Sequence, residues 1–86
     1  MSLQGQIAIV TGASRGIGPA IAESLARAGA IVVLAARNAE ELGQVARRIQ
    51  AGGGTAHAIA VDVSSEEQVR QMIQTTVERL GKLDIL

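Results

Sequence analysis

Ile7-Ala8-Ile9-Val10-Thr11-Gly12-Ala13-Ser14-Arg15-Gly16-Ile17-Gly18-Pro19-Ala20-Ile21 is the stretch that decides the fold. Its continuous apolar run, Ile7 to Val10, ends at Thr11-Gly12, the pattern of a strand covered on both faces. A glycine-rich turn follows, after which Ile17, Ile21 and Leu25 share one helical face until Gly29 stops the helix. Strand, glycine loop and helix in this order bring backbone N–H groups to a helix N-terminus, where an anion can be held. Glycines are needed there wherever a Cβ would block the approach or the turn requires positive φ. Gly12, Gly16 and Gly18 are placed to give the tight turn, the close approach and the close packing of helix on strand. Pro19 is tolerated if it falls in the first helical turn, where its missing N–H leaves no bond unmade.

Outward from this unit the alternation continues. Ile31-Val32-Val33-Leu34-Ala35-Ala36 reads as a second strand, Ala58-Ile59-Ala60-Val61 as a third, and Leu83-Asp84-Ile85-Leu86 as the start of a fourth. Between them, Leu42, Val45, Ala46 and Ile49 form a helical stripe opened by Asn38 and Glu41 as a capping box and closed by Gly52-Gly53-Gly54. Val69, Met72, Ile73, Thr76, Val77 and Leu80 form a third stripe, with Ser64 and Glu67 as its capping box and Gly81 at its end. This is the α/β order of a parallel sheet with crossover helices, a half-Rossmann sheet. The expected strand order is 3-2-1-4, with three crossover helices, the first two on one face and the third on the other. Ligands then bind beyond the carboxyl ends of the strands, where the order reverses. With no linker and no further repeat visible, residues 1–86 read as a single domain, truncated after strand four.

The loop spacing is G-x-x-x-G-x-G, which differs from the general G-x-G-x-x-G fingerprint and lacks the Gly-Lys-Ser/Thr ending of an ATP phosphate loop. A nucleoside triphosphatase is disfavoured. Thr11-Gly12-Ala13-Ser14-Arg15-Gly16-Ile17-Gly18 after a strand resembles the T-G-x-x-x-G-x-G signature of the classical short-chain dehydrogenases/reductases, in their N-terminal portion. Val61-Asp62-Val63 resembles that family's adenine-site segment, and Gly81 to Leu86 its lead into strand four. Within the family the resemblance is to 3-oxoacyl-acyl-carrier-protein reductases. It implies a parent reaction of NADP-dependent carbonyl/alcohol oxidoreduction by hydride transfer. It also implies that Gly12, Ser14, Arg15, Gly16, Ile17 and Gly18 meet the cofactor, that Asp62 accepts from the adenine amino group, and that the Val63 backbone meets the ring edge. Read without the resemblance, Asp62 is equally a polar strand end ahead of a helix cap.

The residues also indicate which nicotinamide cofactor fits. In Rossmann sites an acidic residue about 20 positions past the glycine loop binds the ribose hydroxyls of NAD, whereas an arginine accommodates the extra phosphate of NADP. Here the second strand ends Ala35-Ala36-Arg37-Asn38, with no acidic residue. A guanidinium grips a 2′-phosphate in a two-pronged way, so Arg37 favours NADP(H), and Arg15 can flank the same phosphate. A methyltransferase using S-adenosylmethionine is disfavoured, because it gives neither arginine a phosphate to meet.

Composition narrows the setting. Of the 86 residues 48% are apolar, and eight basic and eight acidic side chains cancel, so the chain is globular and presents no net field for nucleic acid or anionic lipid. Neither is an expected partner. Met1-Ser2-Leu3-Gln4-Gly5 has no signal-peptide character, and no apolar run approaches ~18 residues. With zero cysteines, which also removes the usual structural zinc sites and leaves no metal site to expect, the reading is a cytoplasmic protein.

Chemistry is a different matter. Hydride transfer to a carbonyl needs a proton donor beside the developing alkoxide. Tyrosine and cysteine are absent, and the sole histidine and lysine, His57 and Lys82, fall at the starts of strands three and four, on the rim opposite the cofactor. The resembling family places an Asn, a Ser and a Tyr-x-x-x-Lys group downstream, and no residue here matches them. No catalytic residue is therefore expected, and the chain is expected to be inactive alone. A parallel sheet lacking the helices that follow strand four leaves apolar surface open, so a homo-oligomer formed through that face and edge is expected. The competing reading is a structural, self-associating Rossmann piece whose nucleotide site is vestigial.

Overall fold

Apolar runs and helical stripes fold in chain order as β1 (Ile7–Thr11), α1 (Gly18–Arg27), β2 (Ile31–Ala36), α2 (Ala39–Ala51), β3 (Thr55–Ala60) and α3 (Glu66–Leu80). They are seen in a computed structural model that describes residues 3–14 and 16–81. β2 lies in the middle of a parallel three-stranded sheet, with Ile7 opposite Ile31 and Ile31 opposite Thr55. The described strands thus run 3-2-1. The anticipated fourth strand, Leu83 to Leu86, lies outside the described residues, as does Lys82.

Strand periodicity divides the core into two layers. Ala8, Val10, Val32, Leu34 and Ala56 point to one face and pack with Ala22 of α1 and Leu42, Val45 and Ile49 of α2. Ile9, Val33 and Ala35 point to the other and pack with Met72 of α3. The first two helices and the third therefore cover opposite faces, as the order of elements implies. Leu34, Leu42 and Val32 are wholly buried, each contributing roughly 1.5–3 kcal/mol of hydrophobic stabilisation. Thr76 is the buried polar residue of the α3 stripe, and its Oγ1 donates to the Met72 carbonyl at 2.8 Å. That bond lets a hydroxyl sit in an apolar layer.

Several details depart from the expectations. The first helix buries Gly18 and Ala22, whereas Ile17 and Ile21 are 78% and 46% exposed. At the start of α1 the close approach to the sheet is made by Gly18 and Ala22, so Ile17 and Ile21 turn outward, whereas Leu25 further along packs against the core. The third strand begins at Thr55, and His57 lies inside it, opposite Val33, with its side chain exposed. Only Ala56 of that strand is buried, because β3 is the outer strand of the described sheet and tolerates polar residues that a run of apolar letters cannot reveal. The cap of α3 is Ser65, whose side chain accepts from the Gln68 N–H, and not Ser64. Ser64 is already committed to Asp62, which shifts the helix start by one residue. Asn38 caps α2 as anticipated, accepting from the Glu41 N–H at 3.0 Å.

Candidate functional site

The carboxyl ends of β1, β2 and β3 converge on one mouth. At the end of β1 the chain turns through Gly12 and Gly16, both at positive φ (65° and 67°), and a Cβ built on either would meet nothing within 4 Å. The turn is thus open on the side a ligand would approach. Its far end is closed: a Cβ on Gly18 would collide with the Gly12 carbonyl oxygen and come within 2.8 Å of the Gly12 carbonyl carbon. Ala13, fully buried, donates its N–H to the Ala35 carbonyl at 3.3 Å and ties the loop to β2.

The start of α1 differs from the starts of its neighbours. Asn38 and Ser65 cap α2 and α3 with side-chain oxygens, and each of those helices carries two glutamates in its first turn. For α1 the capping position is Ile17, with no side-chain hydrogen bond and no acidic residue in the first turn. Pro19 falls in that turn, where no intrahelical N–H is required. The positive end of this helix is left for an outside acceptor.

β2 ends at Ala36 and delivers Arg37, and β3 is followed by Val61, Asp62 and Val63. Val61 donates to the Ala36 carbonyl at 2.8 Å, which keeps the two ends side by side. Arg37 Nη2 then reaches Asp62 Oδ1 at 3.2 Å. The same oxygen accepts from the Ser64 hydroxyl at 2.7 Å and from the Ser64 N–H at 3.0 Å. Hydrogen bonds from the Ser64 hydroxyl and N–H, followed by the Arg37 guanidinium, hold the Asp62 carboxyl below the ordinary range of an aspartate. Asp62 also donates its N–H to Gln68 Oε1 at 2.9 Å, so α3 fixes its backbone.

These residues surround a cavity of about 380 Å³ lined by Gly12, Ser14, Arg37, Asp62 and Val63 among the sequence-nominated residues, together with Ala36, Asn38, Glu41, Val61 and Ser64. Gly16 and Ile17 lie exposed at the start of α1, and Gly18 is buried beneath it. Arg15 lies outside the described residues. Ser64 and Gln68, which position Asp62, were not nominated by the sequence. The Asp-x-Ser spacing of an Asx-type turn is the signal that marks Ser64. A dinucleotide fits this arrangement on the donor chemistry present: amides beside a loop open to close approach, a guanidinium, and a carboxylate at the far wall. Among the described residues no group of three or more His, Cys, Asp or Glu is disposed to hold a metal, and no helix is long and apolar enough to cross a membrane.

Comparison with known proteins agrees with this geometry. The family profile described as short chain dehydrogenase matches residues 6–86. A solved metagenomic short-chain oxidoreductase in complex with NADP is 46% identical, with a TM-score of 0.96 over all of this chain and 39% of that one. An uncharacterised oxidoreductase of Staphylococcus saprophyticus is 44% identical over 100% of this chain and 37% of its own length. The 3-oxoacyl-[acyl-carrier-protein] reductase FabG of Pseudomonas aeruginosa is 44% identical over 95% of this chain and 33% of its own length. The chain therefore spans about a third of the length of these two relatives, 37% and 33%.

Proposed function

This chain belongs to the short chain dehydrogenase family, and on that premise we propose that it is an NADP(H)-binding N-terminal portion of such an oxidoreductase. The observation that carries the proposal is the α1 start, which has neither a side-chain cap nor a first-turn acid, beside a cavity that Arg37 lines. In this reading the pyrophosphate approaches through Gly12 and Gly16 onto the first N–H groups of α1, with Ser14 and Ile17 alongside. Gly18 holds helix and loop together from below. Arg37, and Arg15 from the loop, take the 2′-phosphate. Asp62 takes the adenine amino group and the Val63 backbone the ring edge. All three donors found on Asp62 among the described residues converge on Oδ1, which leaves Oδ2 for that amino group.

When bound, NADPH supplies the hydride for carbonyl reduction. These 86 residues include no tyrosine or cysteine to supply the proton, so the polypeptide by itself turns nothing over. The test is thermal: at a hundredfold excess over its dissociation constant, NADPH raises the melting temperature by on the order of 10 °C. No rise at millimolar NADPH counts against it.

A second reading, a structural unit that self-associates and whose nucleotide site is vestigial, is favoured by the exposure of Ile17 and Ile21 along α1. Sedimentation distinguishes it: a mass above the monomer that drops on Ile21→Glu supports self-association, and a monomeric mass at high concentration contradicts it.

A further inference from the structure

We propose that the outer edge of β3 is a docking site for an extended, acidic peptide segment of another protein, added to the sheet as a further strand. Direction comes first. Val61 donates to Ala36 across the β2–β3 ladder, so the backbone groups of residues 57, 59 and 61 face β2, and those of Ala56, Ala58 and Ala60 face away from it. Gln50 Nε2 donates to the Ala56 carbonyl at 3.0 Å, from a helix outside the sheet, as that alternation requires. Ala58 and Ala60 are exposed, and the N–H and C=O groups they turn outward are what an incoming strand pairs with. Alanine side chains add no bulk to obstruct it. The usual protections of an edge, a proline, a bulge or an inward charge, are missing from Thr55–Ala60.

The surroundings specify the occupant. A groove of about 990 Å³ runs along this edge between α2 and α3. Among the described residues its charged or ionisable lining is Arg47, Arg79 and His57, with no carboxylate. Arg37, Arg48 and Arg70 each have an acidic partner, whereas neither Arg47 nor Arg79 forms an ion pair among the described residues. Arg47 of α2 and Arg79 of α3 lie on opposite faces of the sheet, so they complement carboxylates at adjacent positions of an extended peptide, whose side chains point to opposite faces. A second copy of this chain is a poorer occupant, because pairing β3 with β3 about a two-fold axis sets the same cationic groups against each other.

The experiment uses fluorescein-labelled peptides with Val and Glu in adjacent pairs (Val-Val-Glu-Glu repeats, one carboxylate per face), with Lys replacing Glu in the same order, and with the Val-Glu order and N-methylated amides, titrated into the chain by anisotropy. Saturable binding of the Val-Glu peptide below ~1 mM is expected, with little from the other two. Arg47→Glu with Arg79→Glu is expected to weaken it by about tenfold or more. Ala58→Pro is expected to do the same while keeping the far-ultraviolet circular dichroism, since it removes an outward N–H and no bond to β2. If Ala58→Pro does not fold, the N-methylated peptide carries the same test. Equal binding of the Val-Lys or N-methylated peptide, no saturable binding of the Val-Glu peptide, or a wild-type dimer that Ala58→Pro dissociates would each overturn the proposal.

Discussion

Arg37 and Asp62 meet at 3.2 Å across the mouth between β2 and β3, their side chains 75% and 36% exposed. A pair so open to water adds little to stability. What it does is aim the guanidinium at the cavity while leaving it free to exchange one anionic partner for another. Ser64 keeps Asp62 satisfied when Arg37 leaves.

Replacing Arg37 with Ala therefore changes selectivity more than stability. Loss of charge-assisted hydrogen bonds to a 2′-phosphate costs about 1.5–3 kcal/mol, on the order of tenfold to a hundredfold in affinity. NADPH affinity is expected to fall by that factor while NADH affinity stays level, as read by cofactor fluorescence. Equal losses for both cofactors would remove Arg37 from the phosphate site.

Acid should expose the role of Asp62. Its carboxyl is held below the ordinary value near 3.8, so its contribution is present in full above the unfolded value and is lost as pH falls through the folded one. The gap in urea midpoint between wild type and Asp62→Asn is expected to be widest near neutrality and to close below about pH 3.8. A gap that stays constant to pH 2.5 contradicts this.

Gly18→Ala reverses the usual sign of a glycine-to-alanine change in a helix, which ordinarily gains roughly 1 kcal/mol. The new Cβ meets the Gly12 backbone, which cannot retreat because Ala13 is bonded to Ala35. A loss of about 1–3 kcal/mol is expected, measured as a lower urea midpoint.

Two adjacent serines should separate cleanly. Ser65→Ala removes the α3 cap and is expected to cost about 1 kcal/mol. Ser64→Ala leaves that cap in place, removes the hydroxyl donor to Asp62 and moves the Asp62 pKa back up toward 3.8, visible in a carboxyl NMR titration.

Much of this was legible in the letters. The second strand was read with the bounds it has, because all six of its residues are apolar and its middle four are buried. Asn38 was legible as a cap because only its own helix competes for its side chain. Ser64 was misread for the opposite reason: a tertiary contact, Asp62, takes the hydroxyl that the local pattern assigns to the helix. Thr55-Ala56-His57 escaped because an outer strand is selected by its pairing with β2, not by apolarity. Ile17 and Ile21 misled through periodicity, which shows that an apolar face exists but not that Gly18 and Ala22 are what the sheet admits. At the site, position after a strand identified Gly12 and Arg37, and the family resemblance added Ser14, Asp62 and Val63; all five line one cavity. Gln68 gave no local signal, because its contact with Asp62 spans the turn into α3.

The most direct measurement is a calorimetric titration of the wild-type chain with NADPH and with NADH under one buffer and salt condition. Saturable binding with NADPH tighter by about tenfold or more is the result predicted by an uncapped α1 beside Arg37. Heat indistinguishable from dilution at millimolar NADPH, or NADH binding as tightly, would contradict it.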